Sequence, residues 1–181
     1  MIVFDVETTG LLKPSIVDLN YQPQIIEFAA VKLDDNTLEQ KDSISFLVNP
    51  KCKIPEHITR LTGITTDMTV DAMTFDYHFS SLVNFFLGEK HTVAHNIAFD
   101  LGVLNVELKR IGKDTKFPYP PVQICTVNQT FNFKQYKLNL GALYSHLFGD
   151  GFKEAHRASD DVAALAKCVR RLITDNVIKI A

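Results

Sequence analysis

The first seven residues constrain this chain more than any other stretch. Ile2, Val3 and Phe4 form an unbroken apolar run, the mark of a strand buried on both faces, and predict a strand over Ile2–Val6 that ends at Thr8-Thr9-Gly10. Such a strand needs partners on both edges and cover on both sides, which directs the chain toward a layered α/β fold. Asp5 and Glu7 stand two residues apart and therefore share one face of that strand. Two carboxylates side by side at the end of a buried strand repel each other and lose hydration. A bound divalent cation relieves that cost; a pair of purely structural carboxylates is the alternative.

The rest of the chain supplies the layers. Strands are predicted over Ile25–Leu33, Ser43–Val48, His91–Ala94 and Val122–Thr126, and helices over Pro55–Leu61, Asp71–Leu87, Ile97–Ile111, Leu138–Phe148 and Ala158–Thr174. Gly63 and Gly88 follow two of these helices as stop signals. A meander of early strands followed by strands alternating with helices predicts a five-stranded mixed sheet flanked by helices. With no repeat or Gly/Ser linker in its 181 residues, the chain reads as a single domain over 1–181.

Two further acids sit where apolar residues belong. In the helix from Ile97, the stripe Ile97, Leu101, Leu104, Leu108, Ile111 includes Asp100 in its first turn, with Asn96 ahead as candidate N-cap. The macrodipole explains an acid near a helix start but not one aimed at the core. In the last helix, Asp161 stands four residues before Leu165 on the stripe of Val162, Leu165, Ala166, Val169, Leu172 and Ile173. Asp160 lines up instead with Ala164, Lys167 and Arg171 on the solvated face. His156 precedes this helix, where a loop can aim it at the same spot. Four inward acids unaccompanied by a basic side chain suit hard, oxygen-loving cations such as Mg²⁺ or Mn²⁺, not Zn²⁺. Two such ions can clamp a phosphodiester, and a histidine, which exchanges protons near neutral pH, can deprotonate the attacking water.

Charge narrows the partner. Nineteen basic against 21 acidic residues exclude a protein that coats duplex nucleic acid by bulk charge, while leaving room for one that grips a few phosphates. No apolar run is long enough to span a membrane, and three widely spaced cysteines fit a reducing, cytoplasmic setting. The segment 131–137 interleaves aromatics with lysines and can either stack bases or tuck two phenylalanines into the core. Lys109, Arg110, Lys113 and Lys116 read as a solvated helix end.

Phe4-Asp5-Val6-Glu7-Thr8-Thr9-Gly10 resembles the first motif of the DnaQ-like (DEDDh) 3′→5′ exonucleases. His95-Asn96-Ile97-Ala98-Phe99-Asp100 resembles the second, and His156-x-Ala158-x-x-Asp161 the third in its histidine-bearing form. The motifs occur in order and the resemblance covers nearly the whole chain. It implies a ribonuclease H-like fold, two Mg²⁺ or Mn²⁺ ions held by Asp5, Glu7, Asp100 and Asp161, and His156 as general base. It also implies substrate contacts: Glu56 at the terminal sugar, Leu61 and Leu11 wedged against the last bases, and Thr8, Thr9, Gly10, Asn96 and Phe99 around them. Core packing is the alternative for Leu11 and Leu61. Cys125 departs from the acid that relatives often carry after the fifth strand, and Pro118–Pro121 is too short for the polyproline insert of some relatives. The expected activity is release of nucleoside 5′-monophosphates from the 3′ end of single-stranded or frayed DNA, in proofreading or repair, with a polymerase or replisome as the implied partner. An exoribonuclease resembling ribonuclease T or oligoribonuclease, and a silent nucleic-acid-binding module, are the competing readings.

Overall fold

The computed structural model describes residues 1–149 and 156–180. Strands β1 (Ile2–Thr8), β2 (Ile25–Leu33), β3 (Gln40–Leu47), β4 (His91–Ala94) and β5 (Val122–Cys125) form one sheet in the order β3-β2-β1-β4-β5. β1 pairs antiparallel with β2 and parallel with β4; β2–β3 is antiparallel and β4–β5 parallel. This is the expected five-stranded mixed sheet of a ribonuclease H-like fold, with β1 at its centre.

The helices are α1 (Glu56–Thr62), α2 (Thr66–Thr69), α3 (Phe75–Phe86), α4 (Ile97–Arg110), α5 (Thr126–Gln129), α6 (Leu140–Phe148) and α7 (Ala158–Thr174). The alternation along β1 builds two cores. Ile2, Phe4 and Val6 pack with Phe28, Leu82, Phe86 and Leu104 under α3 and α4. Val3 packs with Ala29, Val31, Leu165 and Val169 under α6 and α7. No helix among the described residues is long and apolar enough to cross a membrane.

Several boundaries move for identifiable reasons. β1 continues to Thr8, because its ladder to β2 extends through Glu7 before the register shifts. β3 runs over Gln40–Leu47 instead of Ser43–Val48; its polar first half pairs with β2 although it is exposed. Pro55 lies outside α1 as its N-cap, and Gly63 closes that helix in the left-handed conformation at φ 72°. The helix expected over Asp71–Leu87 starts only at Phe75, since Thr65 caps the separate short turn of α2 before it. β5 stops at Cys125, and α6 starts at Leu140 because Asn139 Oδ1 accepts the Ala142 N–H at 2.8 Å as a true N-cap.

Candidate active site

The site forms at the C-terminal end of β1, beside the parallel strand β4, the kind of strand-end crevice where α/β sheets take ligands. Asp5 and Glu7 share the β1 face of Val3, toward α7. From the first turn of α7, Asp161 (7% exposed) meets them: oxygens of Asp5, Glu7 and Asp161 lie within 4.8 Å of one another. Asp160 points to solvent, as helical phase predicts, although Ala164, expected on the same solvated face, is buried. Asp100 (2% exposed) enters from the first turn of α4, its carboxyl accepting backbone hydrogen bonds from its own N–H and that of Val6. It lines the same cavity but stands outside the group of mutually close oxygens, so the four carboxylates divide three and one.

That cavity, about 220 Å³, is lined by the four acids with Val6, His95, Phe99, Asn139, Leu140 and His156. Asn139 and Leu140 escaped the sequence reading, as nothing in the chain ties residues at 139–140 to any of the three motifs. His95 is held on two sides: its Nε2 donates to the Leu138 carbonyl (3.0 Å) and its Nδ1 meets the Thr126 hydroxyl (2.8 Å). His156 is half-buried and its backbone adopts a left-handed φ of 45°. Asn96 is also left-handed (φ 71°), and it occupies the N-cap position of α4 without the side-chain cap bond expected of it.

Electrostatics mark the site as built for positive charge. Burial, then the charges of Asp161 and Glu27, push the Asp5 carboxyl up to about 7. Burial, then Asp5, Asp161 and Glu27, push Glu7 up to about 9 against a lowering pull from Arg157. Asp100 is raised well above the carboxylate range by burial and by Asp5. Acids that resist ionisation because they are buried and crowd one another ionise readily around a cation, and an all-oxygen carboxylate set fits a hard divalent one.

One basic side chain does accompany the acids, contrary to expectation. Glu27, near the start of β2, lies opposite Glu7 in the strand register and is 2% exposed. Arg157 binds it through Nε (3.0 and 3.2 Å) and Nη2 (2.6 Å), and the Ala158 N–H donates to it at 2.8 Å.

The remaining residues of interest surround the cavity. Thr8 Oγ1 donates to the Gly10 carbonyl (2.7 Å) and Thr9 Oγ1 accepts the Gln24 N–H (2.9 Å), so both hydroxyls shape the turn after β1. Gly10 is half-buried in that turn. Leu11 (80% exposed) and Leu61 (52% exposed) are surface residues, which removes core packing as their explanation. Glu56, in the first turn of α1, is exposed and pairs with Arg60 at 2.7 Å. Phe131 is exposed while Phe133 packs on the α7-side core, so only one phenylalanine of 131–137 is tucked in. Arg110 is not part of a solvated helix end: its Nη2 donates to the carbonyls of Leu19, Gln22 and Pro23.

A ribonuclease H-like sheet whose central strand ends in clustered carboxylates beside a histidine defines a hydrolytic nuclease. The exonuclease family model of the RNase T type matches residues 2–169, and the chain belongs to that family, with DEDDh exonucleases among its structural neighbours. It is 38% identical over 169 residues to a PolC-type DNA polymerase III of Clostridium perfringens, covering 93% of this chain and 11% of that protein. It is 34% identical over 176 residues to a Mycobacterium tuberculosis protein named as a bifunctional exonuclease/endonuclease, covering 95% of this chain and 26% of that one. The chain thus spans only a minor part of the length of these relatives. The fold matches the nuclease domain of 3′hExo, a DEDDh family member bound to rAMP, with a TM-score of 0.76 at 22% identity, over 99% of this chain and 94% of that one. Nucleases of this family use divalent metal ions, in keeping with the carboxylate cluster.

Proposed function

We propose that residues 1–181 act as a single 3′→5′ exonuclease domain that releases nucleoside 5′-monophosphates from single-stranded or frayed DNA ends. The observation that carries this reading is the mutual 4.8 Å approach of Asp5, Glu7 and Asp161 in a cavity that His156 also lines. Asp5, Glu7, Asp161 and, in the same cavity, Asp100 would hold two Mg²⁺ or Mn²⁺ ions. Such ions, when bound, offset phosphate charge and acidify water. His156 takes the proton from the attacking water on an imidazole nitrogen. The water oxygen bonds to phosphorus as the bond to the neighbouring 3′-oxygen breaks, freeing a 5′-monophosphate and a new 3′-hydroxyl. Leu11 and Leu61 offer exposed apolar surface to the last bases, with Glu56 at the terminal sugar and Thr8, Thr9, Gly10, Asn96 and Phe99 around them. Feeding a duplex end past these wedges costs unpairing and unstacking, a few kcal/mol in related base-extrusion cases. Its PolC-type relatives, named as polymerases, support a proofreading role beside a polymerase.

The test is a 5′-labelled strand followed over time with Mg²⁺, Mn²⁺ or excess EDTA, as DNA and as RNA. The DNA strand is presented alone, annealed, and annealed with a terminal mismatch. Expected is a ladder from the 3′ end, with single strand and mismatch faster than matched duplex, DNA faster than RNA, and no turnover in EDTA. Cleavage within a circular single strand, or equal rates on all three linear substrates, refutes the end-reading mechanism; faster RNA digestion reassigns the substrate.

A further inference from the structure

Glu27 and Arg157 lie 130 residues apart in sequence and meet between β2 and the start of α7. Glu27 is a buried carboxylate on the inner strand β2, directly across from Glu7, where a second negative charge is unfavourable. Arg157 neutralises it through three short contacts from Nε and Nη2, and the Ala158 N–H adds a fourth. The donors belong to the two residues that open α7, directly between His156 and the helical turn bearing Asp161. His156 itself holds a left-handed backbone conformation, which a non-glycine residue keeps only where its surroundings over-determine it. The adjacent residue, Arg157, is clamped to β2 at two atoms.

The geometry points to Glu27 and Arg157 as a positioning pair for hydrolysis, anchoring the start of α7 to β2 so that His156 and Asp161 both face the cavity. This rests on reading His156 and Asp161 as catalytic. Neither Glu27 nor Arg157 touches the reacting atoms; each acts through the residues it holds in place. Misplacement of a catalytic group by about 1 Å can cost about 100-fold in rate, so loss of the clamp should act on kcat.

The experiment compares Glu27→Gln, Arg157→Gln, Arg157→Lys and the double Glu27→Gln/Arg157→Gln variant with the wild type. The double variant loses both charges together, so no buried charge is left unpaired if a single variant fails to fold. Folding is checked by circular dichroism, kcat and KM are measured on a 5′-labelled single strand, and the His156 Cε1–H NMR signal is assigned by its absence in His156→Ala. Expected for the folded Gln variants are a kcat about 10- to 100-fold lower with KM within about twofold, and a displaced His156 signal. Arg157→Lys, which keeps the charge but not the fork, should fall between. Folded variants with kcat within twofold of wild type overturn the positioning role, whatever their melting temperatures. A wild-type protein without 3′ nuclease activity refutes the functional reading instead, and the NMR signal then decides alone: unmoved in the folded variants overturns the anchoring, displaced supports it.

Discussion

Asp160 and Asp161 share a peptide bond and little else: one is solvated, the other is 7% exposed and faces two more carboxylates. A helix turns about 100° per residue, so neighbours can face water and core, and the apolar stripe of α7 told them apart in the sequence. Asp161→Asn is therefore expected to abolish turnover while Asp160→Asn leaves most of it; steady-state kinetics on folded proteins with the reverse ranking would refute the site assignment. His156→Ala should lower kcat by roughly 10²–10⁴, the scale of a lost general base, while calorimetric Mn²⁺ binding survives. Lost Mn²⁺ affinity in that variant would make His156 a ligand or a structural group. Glu27 shows where single-residue reading stops. Within Ile25–Leu33 it is one acid in an apolar strand, and its partner Arg157 is 130 residues on, so only the fold reveals that its charge is matched.

At the scale of elements, legibility followed local chemistry. β2, β4 and α7 match their expected bounds because apolar periodicity and turn residues agree at both ends. α3 is shorter than expected because Asp71 to Thr74 are compatible with helix but are drawn into the connection from α2. The role of the α4 C-terminus was not legible, since it depends on backbone carbonyls that carry no sequence signal. There Glu107 (5% exposed) accepts the Ile25 N–H at 2.9 Å and pairs with Arg110 at 2.8 Å, while Arg110 collects three carbonyls from the connection between β1 and β2. Gln22 Nε2 adds bonds to the carbonyls of Lys13 and Pro14, so the segment leading away from Leu11 is tied down at both ends. Arg110→Ala leaves a buried carboxylate without its partner and is expected to cost about 3 kcal/mol in urea unfolding. Amide exchange should quicken across residues 11–22 while β1 stays protected; unchanged exchange in that segment would show that Arg110 does not brace it.

The whole molecule bears the cost of gathering these acids. With ordinary carboxylates near 4 in the unfolded chain, the rise of Asp5 to about 7 and of Glu7 to about 9 means that the metal-free native state binds more protons than the unfolded one between these values. Stability then falls as pH rises, because the slope of unfolding free energy with pH follows protons bound unfolded minus protons bound native, here a negative difference. The contribution is fully present below about 4 and is lost progressively toward the folded values. EDTA-stripped protein should therefore melt at a higher temperature at pH 5 than at pH 8. Saturating Mg²⁺ or Mn²⁺ should raise the pH 8 value most, because a ligand that binds only the native state stabilises it, and ionised carboxylates bind the ion best. A double Asp5→Asn/Glu7→Gln variant removes two of the strained carboxylates and leaves buried Asp100 in place. Its metal-free melting temperature should fall less between pH 5 and 8 than that of the wild type and should exceed it at pH 8, with activity and the cation response both lost. Melting curves at the two pH values, with and without the cation, check all of this. A metal-free wild type that melts no lower at pH 8 than at pH 5 would show that ionising these buried, crowded acids costs the fold nothing, and the physical case for a cation at the end of β1 would fall with it.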